Sequence, residues 1–100
     1  MPAARTLPVS SRTLIVPCPH GIHLRVAARI VTLAKSFQAT VRLRSGSGTA
    51  DARSMLSILG LNASHGATVR VTAKGIDAEQ AVEELAKLLQ SEAVFCGVPA

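Results

Sequence analysis

The sequence predicts an α+β fold, a four-stranded antiparallel sheet with three helices packed on one face, in the order βαββαβα. Three observations predict it. Residues 24 to 37 and 78 to 91 space their apolar side chains as one face of a helix does. Residues 39 to 45 and 67 to 74 alternate apolar with polar side chains, as a half-buried strand does. Gly46-Ser47-Gly48 is a turn that folds one of those strands back as a hairpin. One hundred residues suffice for a single domain with a real core and not for two.

Taken in order, residues 1 to 10 hold prolines and small residues without a period, which predicts a flexible extension ahead of a domain over 11 to 91. Thr13, Leu14, Ile15 and Val16 form a β-prone run from Ser11, stopped by Pro17 and Pro19. After the loop Cys18 to Gly21, the first helix runs from Leu24 to Phe37, burying Val26, Ile30, Leu33 and Phe37. Val41 and Leu43 point inward from the second strand and Arg42 and Arg44 outward, with Thr49 to Ala52 as the return strand. Ser54 to Leu61 is a short helix with Ser54 as N-cap, and it has more apolar residues than one narrow face can bury. Part of Met55, Leu56 and Leu59 is therefore expected at the surface, as a patch for a partner. Val69, Val71 and Ala73 mark the fourth strand. Asp77 and Gln80 then form a capping box ahead of the last helix, which ends near Ser91 and leaves 92 to 100 as a tail.

Composition narrows the function. The only aromatics are Phe37 and Phe95, so aliphatics and alanine must build the core, and the stacking platforms of single-strand nucleic-acid binders are missing. The net charge of +5 is scattered, with no block of like charge, as on an ordinary surface. A basic module binding nucleic acid through Arg42, Arg44 and Arg70 is the weakest of three readings, and no nucleic acid is expected as a partner. Cys18 and Cys96 form no C-x-x-C and have no metal-like histidine spacing, which fits a reducing compartment as well as a disulfide. No apolar run approaches membrane-spanning length, and the first residues lack the apolar middle of a signal peptide. A cytoplasmic protein without membrane insertion is expected.

The chemistry is concentrated in Gly21-Ile22-His23-Leu24-Arg25-Val26, where a loop enters the first helix. A histidine there lies beside the amides of the first turn, which precede the helical ladder and favour an anion. Arg25 adds a permanent charge able to pair with an oxyanion. His23 thus reads as a group that accepts a phosphoryl and holds it.

With this signature and this element order, the chain resembles the histidine-containing phosphocarrier (HPr) family of the bacterial phosphoenolpyruvate-dependent sugar phosphotransferase system. Ala52-Arg53-Ser54-Met55-Leu56-Ser57 is similar to that family's regulatory-serine segment, and Gly66 and Lys74-Gly75-Ile76-Asp77 also match. The resemblance implies an open-faced β-sandwich and a phosphocarrier, not an enzyme, needing no cofactor or metal. It implies that phosphoryl passes from phosphoenolpyruvate through enzyme I to Nδ1 of His23, and on to a sugar-specific acceptor protein. Arg25 would assist transfer, and the amides of Leu24 and Arg25 would hold the phosphoryl oxygens. Ser54 would be the target of an HPr serine kinase, and Leu24, Met55, Leu56 and Leu59 would form the partner surface of a monomer. A regulatory paralogue, acting in nitrogen or carbon control through His23 or Ser54, is the second reading. Two departures stand out: the family usually has proline at Val26, whose ring would pre-organise the turn, and His20 stands where a small polar residue is common.

Overall fold

The computed structural model describes residues 7 to 17 and 21 to 97, with side chains as far as residue 91. Seven elements follow in the expected order: β1 (Val9–Ile15), α1 (Leu24–Ala34), β2 (Thr40–Ser45), β3 (Gly48–Asp51), α2 (Met55–Gly60), β4 (Thr68–Lys74) and α3 (Ala78–Gly97). The four strands form one antiparallel sheet in the order β1-β4-β2-β3, with Val9 opposite Lys74 and Leu43 opposite both Val71 and Ala50. The helices cover one face. α3 packs on β1 and β4, α2 on β3, and α1 lies against both other helices.

The core lies between the layers and follows the alternation of the strands. Val41, Leu43, Ala50, Val69, Val71 and Ala73 are buried from the sheet side, and Val26, Ile30, Ile58, Ala81 and Leu85 from the helices. Among the described residues no aromatic side chain is part of the buried core, and Phe37 packs on it from its edge. Each of the larger aliphatics contributes roughly 1.5–3 kcal/mol by leaving water.

Three boundaries depart furthest from the sequence reading. β1 begins at Val9, so residues 9 and 10 belong to the sheet and not to an extension; Gly75 N donates to Pro8 O at 2.9 Å and continues the register. α1 stops at Ala34, because Lys35 and Ser36 turn back with amides donating to Val31 O and Leu33 O, and the Ser36 hydroxyl donates to Leu33 O as well. Phe37 therefore reaches the core from a turn. The backbone of α3 continues to Gly97, through residues 92 to 97 expected in the tail. The first six residues, Cys18, His20 and residues 98 to 100 lie outside the described residues.

Asp77 also works differently from the expected capping box. Its two oxygens accept from Gln38 N at 2.9 Å and Ala39 N at 2.8 Å, so it fastens the segment leading into β2 to the start of α3. The Gln38 amide above all holds its carboxyl below the ordinary carboxylate range; the Ala39 amide adds to this, and partial desolvation opposes it. A depressed folded-state pKa gives stability that is present above the unfolded-state value and is lost as pH falls through the folded one. Asp77→Asn is thus expected to lower the urea midpoint at neutral pH, and the gap to the wild type should close in acid. A gap independent of pH would mean that the carboxylate's charge plays no part.

Candidate functional site

The site is built on the loop entering α1. His23 is the N-cap of that helix, with extended backbone (φ −104°, ψ −174°), and its carbonyl accepts the first helical bond, from Ala27 N at 2.9 Å. A serine or aspartate at this position would spend its side chain on the amides of the first turn; the imidazole makes no such capping bond. The first turn holds no acidic residue to offset the positive end of the helix. His23 is half-buried, and Leu24 and Arg25 are exposed.

The loop is held from outside its own helix. Ile22 N donates to Ala63 O at 2.9 Å, while Val16 N donates to Ala67 O and Gly66 N to Val16 O just before it. Gly21 is buried with φ +73°, and a Cβ there would run into the Ala63 carbonyl oxygen and come within 2.9 Å of Ser64 Cα. Only glycine combines this left-handed backbone with so close an approach. The sequence marks Gly21 as a loop residue, but nothing in it points to Ala63 as the support.

Val26, the position of the departure from the family pattern, is fully buried. Its amide precedes the ladder that starts at Ala27, so proline's usual loss of a helical bond does not arise there. A buried β-branched side chain, stiff at χ1, restrains by packing the turn that proline would restrain by its ring. The loosening expected from valine is to that extent offset.

The remaining predicted residues fall on α2 and its neighbour. The Ser54 hydroxyl accepts from Ser57 N at 3.2 Å, the N-cap read from the sequence. Arg53, just before it, donates from Nη2 to Phe37 O at 3.0 Å and fastens the entry of α2 to the turn after α1. Leu56 is 84% exposed and Leu24 60%, whereas Met55 and Leu59 are half-buried and pack on the core. Of the four residues expected in the partner patch, Leu24 and Leu56 therefore carry most of the exposed apolar surface, on two helices that touch. Arg25 also borders a largely apolar groove of about 530 Å³ between α1 and α3, with Arg29 on the same wall. Among the described residues no group of acidic, histidine and cysteine side chains could hold a metal. No helix among them is long and apolar enough to cross a membrane.

Comparison with known proteins shows the family. The family profile described as "PTS HPr component phosphorylation site" matches residues 10–91, from within β1 to α3. The chain belongs to the HPr family. The phosphocarrier protein HPr of Buchnera aphidicola is 35% identical over 78 residues, covering 78% of this chain and 92% of that one. DhaM, the phosphoryl donor subunit of a phosphoenolpyruvate-dependent dihydroxyacetone kinase from Providencia stuartii, is 38% identical over 76 residues, 76% of this chain; the chain spans only 16% of its length. A crystal structure of HPr from Thermoanaerobacter tengcongensis superposes with a TM-score of 0.81 at 27% identity, covering 91% of this chain and 99% of that one. The HPr architecture of an open antiparallel sheet under three helices is the one described above, and HPr proteins are phosphocarriers of the phosphotransferase system, not enzymes.

Proposed function

We propose that this chain carries a phosphoryl group on Nδ1 of His23, taking it from phosphorylated enzyme I and passing it to an acceptor protein of the phosphotransferase system, in the cytoplasm. The observation that carries this reading is an N-cap histidine whose ring makes no capping bond, on a loop clamped to Ala63. In the forward step the Nδ1 lone pair attacks phosphorus, the new P–N bond forms as the donor's bond to phosphorus breaks, and the donor keeps that electron pair. The phosphoryl oxygens then sit at the amides of Leu24 and Arg25, where the helix end favours negative charge. Arg25 steadies the developing charge. Return to an acceptor is the same step reversed, which suits a site that holds the group by dipoles and one cation and does not enclose it.

Phosphorus NMR after incubation with phosphoenolpyruvate and enzyme I tests the reading. An acid-labile phosphohistidine resonance is expected; its absence from folded protein with active enzyme I would overturn it. Arg25→Ala is expected to slow transfer by about tenfold or more while the fold persists, the scale of losing one charge-stabilising group. Unchanged kinetics would remove Arg25 from the chemistry.

Ser54 supports a second mark, placed by an HPr serine kinase. A phosphoryl dianion there would stand beside Leu56 and alter the surface that partners cover. Aspartate is itself a good N-cap, so Ser54→Asp keeps α2 while adding charge. Its affinity for enzyme I is expected to fall by roughly three- to tenfold, from like-charge repulsion. Equal affinity in a calorimetric titration would leave Ser54 as a cap alone.

A further inference from the structure

The face of the sheet turned away from the helices takes no part in the function proposed above, and its composition is uneven. The strand registers set its outward side chains in rows. One row reads Thr13, Arg70, Arg44, Thr49; the next reads Ser11, Thr72, Arg42, Asp51; a third reads Val9, Lys74, Thr40. Arg44 and Arg70 thus stand directly opposite each other on neighbouring strands, an arrangement of like charges that destabilises a sheet unless something between them is negative.

Little within the chain supplies that charge. Five of the six acidic residues, Asp77, Glu79, Glu83, Glu84 and Glu92, lie at or within α3, in the helical layer. Among the described residues Asp51 is the one acid on the open face, and its Oδ1 is engaged by Arg53 N at 2.9 Å. Arg70 donates to the neutral Ser11 hydroxyl at 3.3 Å. Among the described residues no carboxylate pairs with Arg42, Arg44, Arg70 or Lys74.

The face also has relief. Val9, Thr40, Arg42, Thr72 and Lys74 surround a concavity of about 390 Å³, within the range of small-molecule sites. From Thr40 to Arg44 the strand advances about 13 Å, so the concavity and the Arg44–Arg70 pair form one cationic track with hydroxyl donors along it. Val9, 61% exposed, offers an apolar surface at one end.

We propose that this open face binds a small organic polyphosphate of about nucleoside triphosphate size. Arg44, Arg70 and Arg42 would take the phosphates, with Thr40, Thr72 and Lys74 lining the concavity that receives the organic part. Charge complementarity selects the anion, and guanidinium groups match phosphate oxygens in a two-pronged way. Among the described residues no aromatic stands on this face to stack against a single-stranded nucleic acid. The helices all lie on the other face of the sheet, so none stands here to enter a duplex groove.

Nitrogen-15 NMR titration of the full chain at physiological salt, with ATP, inorganic triphosphate and AMP as probes, tests the proposal. Saturable amide shifts are expected at Thr40, Arg42, Arg44, Arg70 and Lys74, with ATP binding about tenfold or more tightly than AMP and the Arg44→Gln/Arg70→Gln variant losing at least about tenfold. The same variant should accept phosphoryl from enzyme I at the wild-type rate, which separates this site from His23. Shifts that do not saturate, shifts centred on the start of α1, or an unchanged ATP affinity in the double variant would overturn it. So would a duplex oligonucleotide or a polyglutamate peptide that saturates this face where ATP does not, since the face would then belong to a macromolecule.

Discussion

His23→Ala is expected to abolish phosphoryl acceptance while leaving the fold almost unchanged. The two halves of this result have separate physical causes. Loss of the imidazole removes the nucleophile, and no neighbouring side chain of the described site, Leu24 or Arg25, can form the covalent bond in its place. The fold keeps its helix start because His23 contributes its backbone carbonyl, which bonds to Ala27 N, and no capping bond from its ring. Truncating a half-buried side chain without a capping role should cost about 1 kcal/mol, too little to unfold the domain. Phosphorus NMR and a urea melt on the same sample check both halves. Loss of folding together with loss of the signal would make His23 a structural residue and undo the functional assignment.

Gly21→Ala is expected to have the second largest effect, on stability and transfer together. An alanine at φ +73° carries a backbone penalty of roughly 1–2 kcal/mol. Its Cβ also meets backbone atoms of Ala63 and Ser64, which cannot swing aside as a flexible side chain could, so the loop or its support must move. A total loss of about 2–4 kcal/mol follows from strain and overpacking combined. Because the displaced loop carries His23, transfer should slow by up to about a hundredfold, the scale of a misplacement near 1 Å. Gly66→Ala is the matched control: its φ is +86°, but a Cβ there meets nothing within 4 Å, so it should show the backbone penalty without the loss of transfer. If both variants behave alike, the contact with Ala63 does not position the site.

How much of this was legible in the sequence varies with the range of the interaction. α1 and β2 were readable because Val26, Ile30, Val41 and Leu43 follow periods set by local geometry and fall on buried faces. The Ser54 cap was readable for the same reason, since cap and amide are three residues apart. The end of α1 was misplaced because Phe37 fits a helical period and yet reaches the core from the turn that Lys35 and Ser36 make. The role of Asp77 was missed because its partners, Gln38 and Ala39, lie some forty residues earlier in the chain. The candidate site divides along the same line. His23, Arg25 and Ser54 stand in local motifs that a sequence displays, whereas the Ala63 support and the concavity on the open face exist only once the strands have paired.

That pairing carries a consequence for how the protein comes into being. β1, the strand that leads into the histidine loop, has β4 as its neighbour in the sheet, and the loop itself hangs from Ala63 with Val16 bonded to Gly66 and Ala67. A nascent chain leaving the ribosome therefore exposes His23 long before anything exists to frame it. Until the chain has reached β4, the first strand has no edge to join, and most of the contacts that must then form are remote in sequence, a slow step for any chain. The loop that carries His23 is in this sense framed from behind, by residues that follow it in the chain and must be made before it can take its shape.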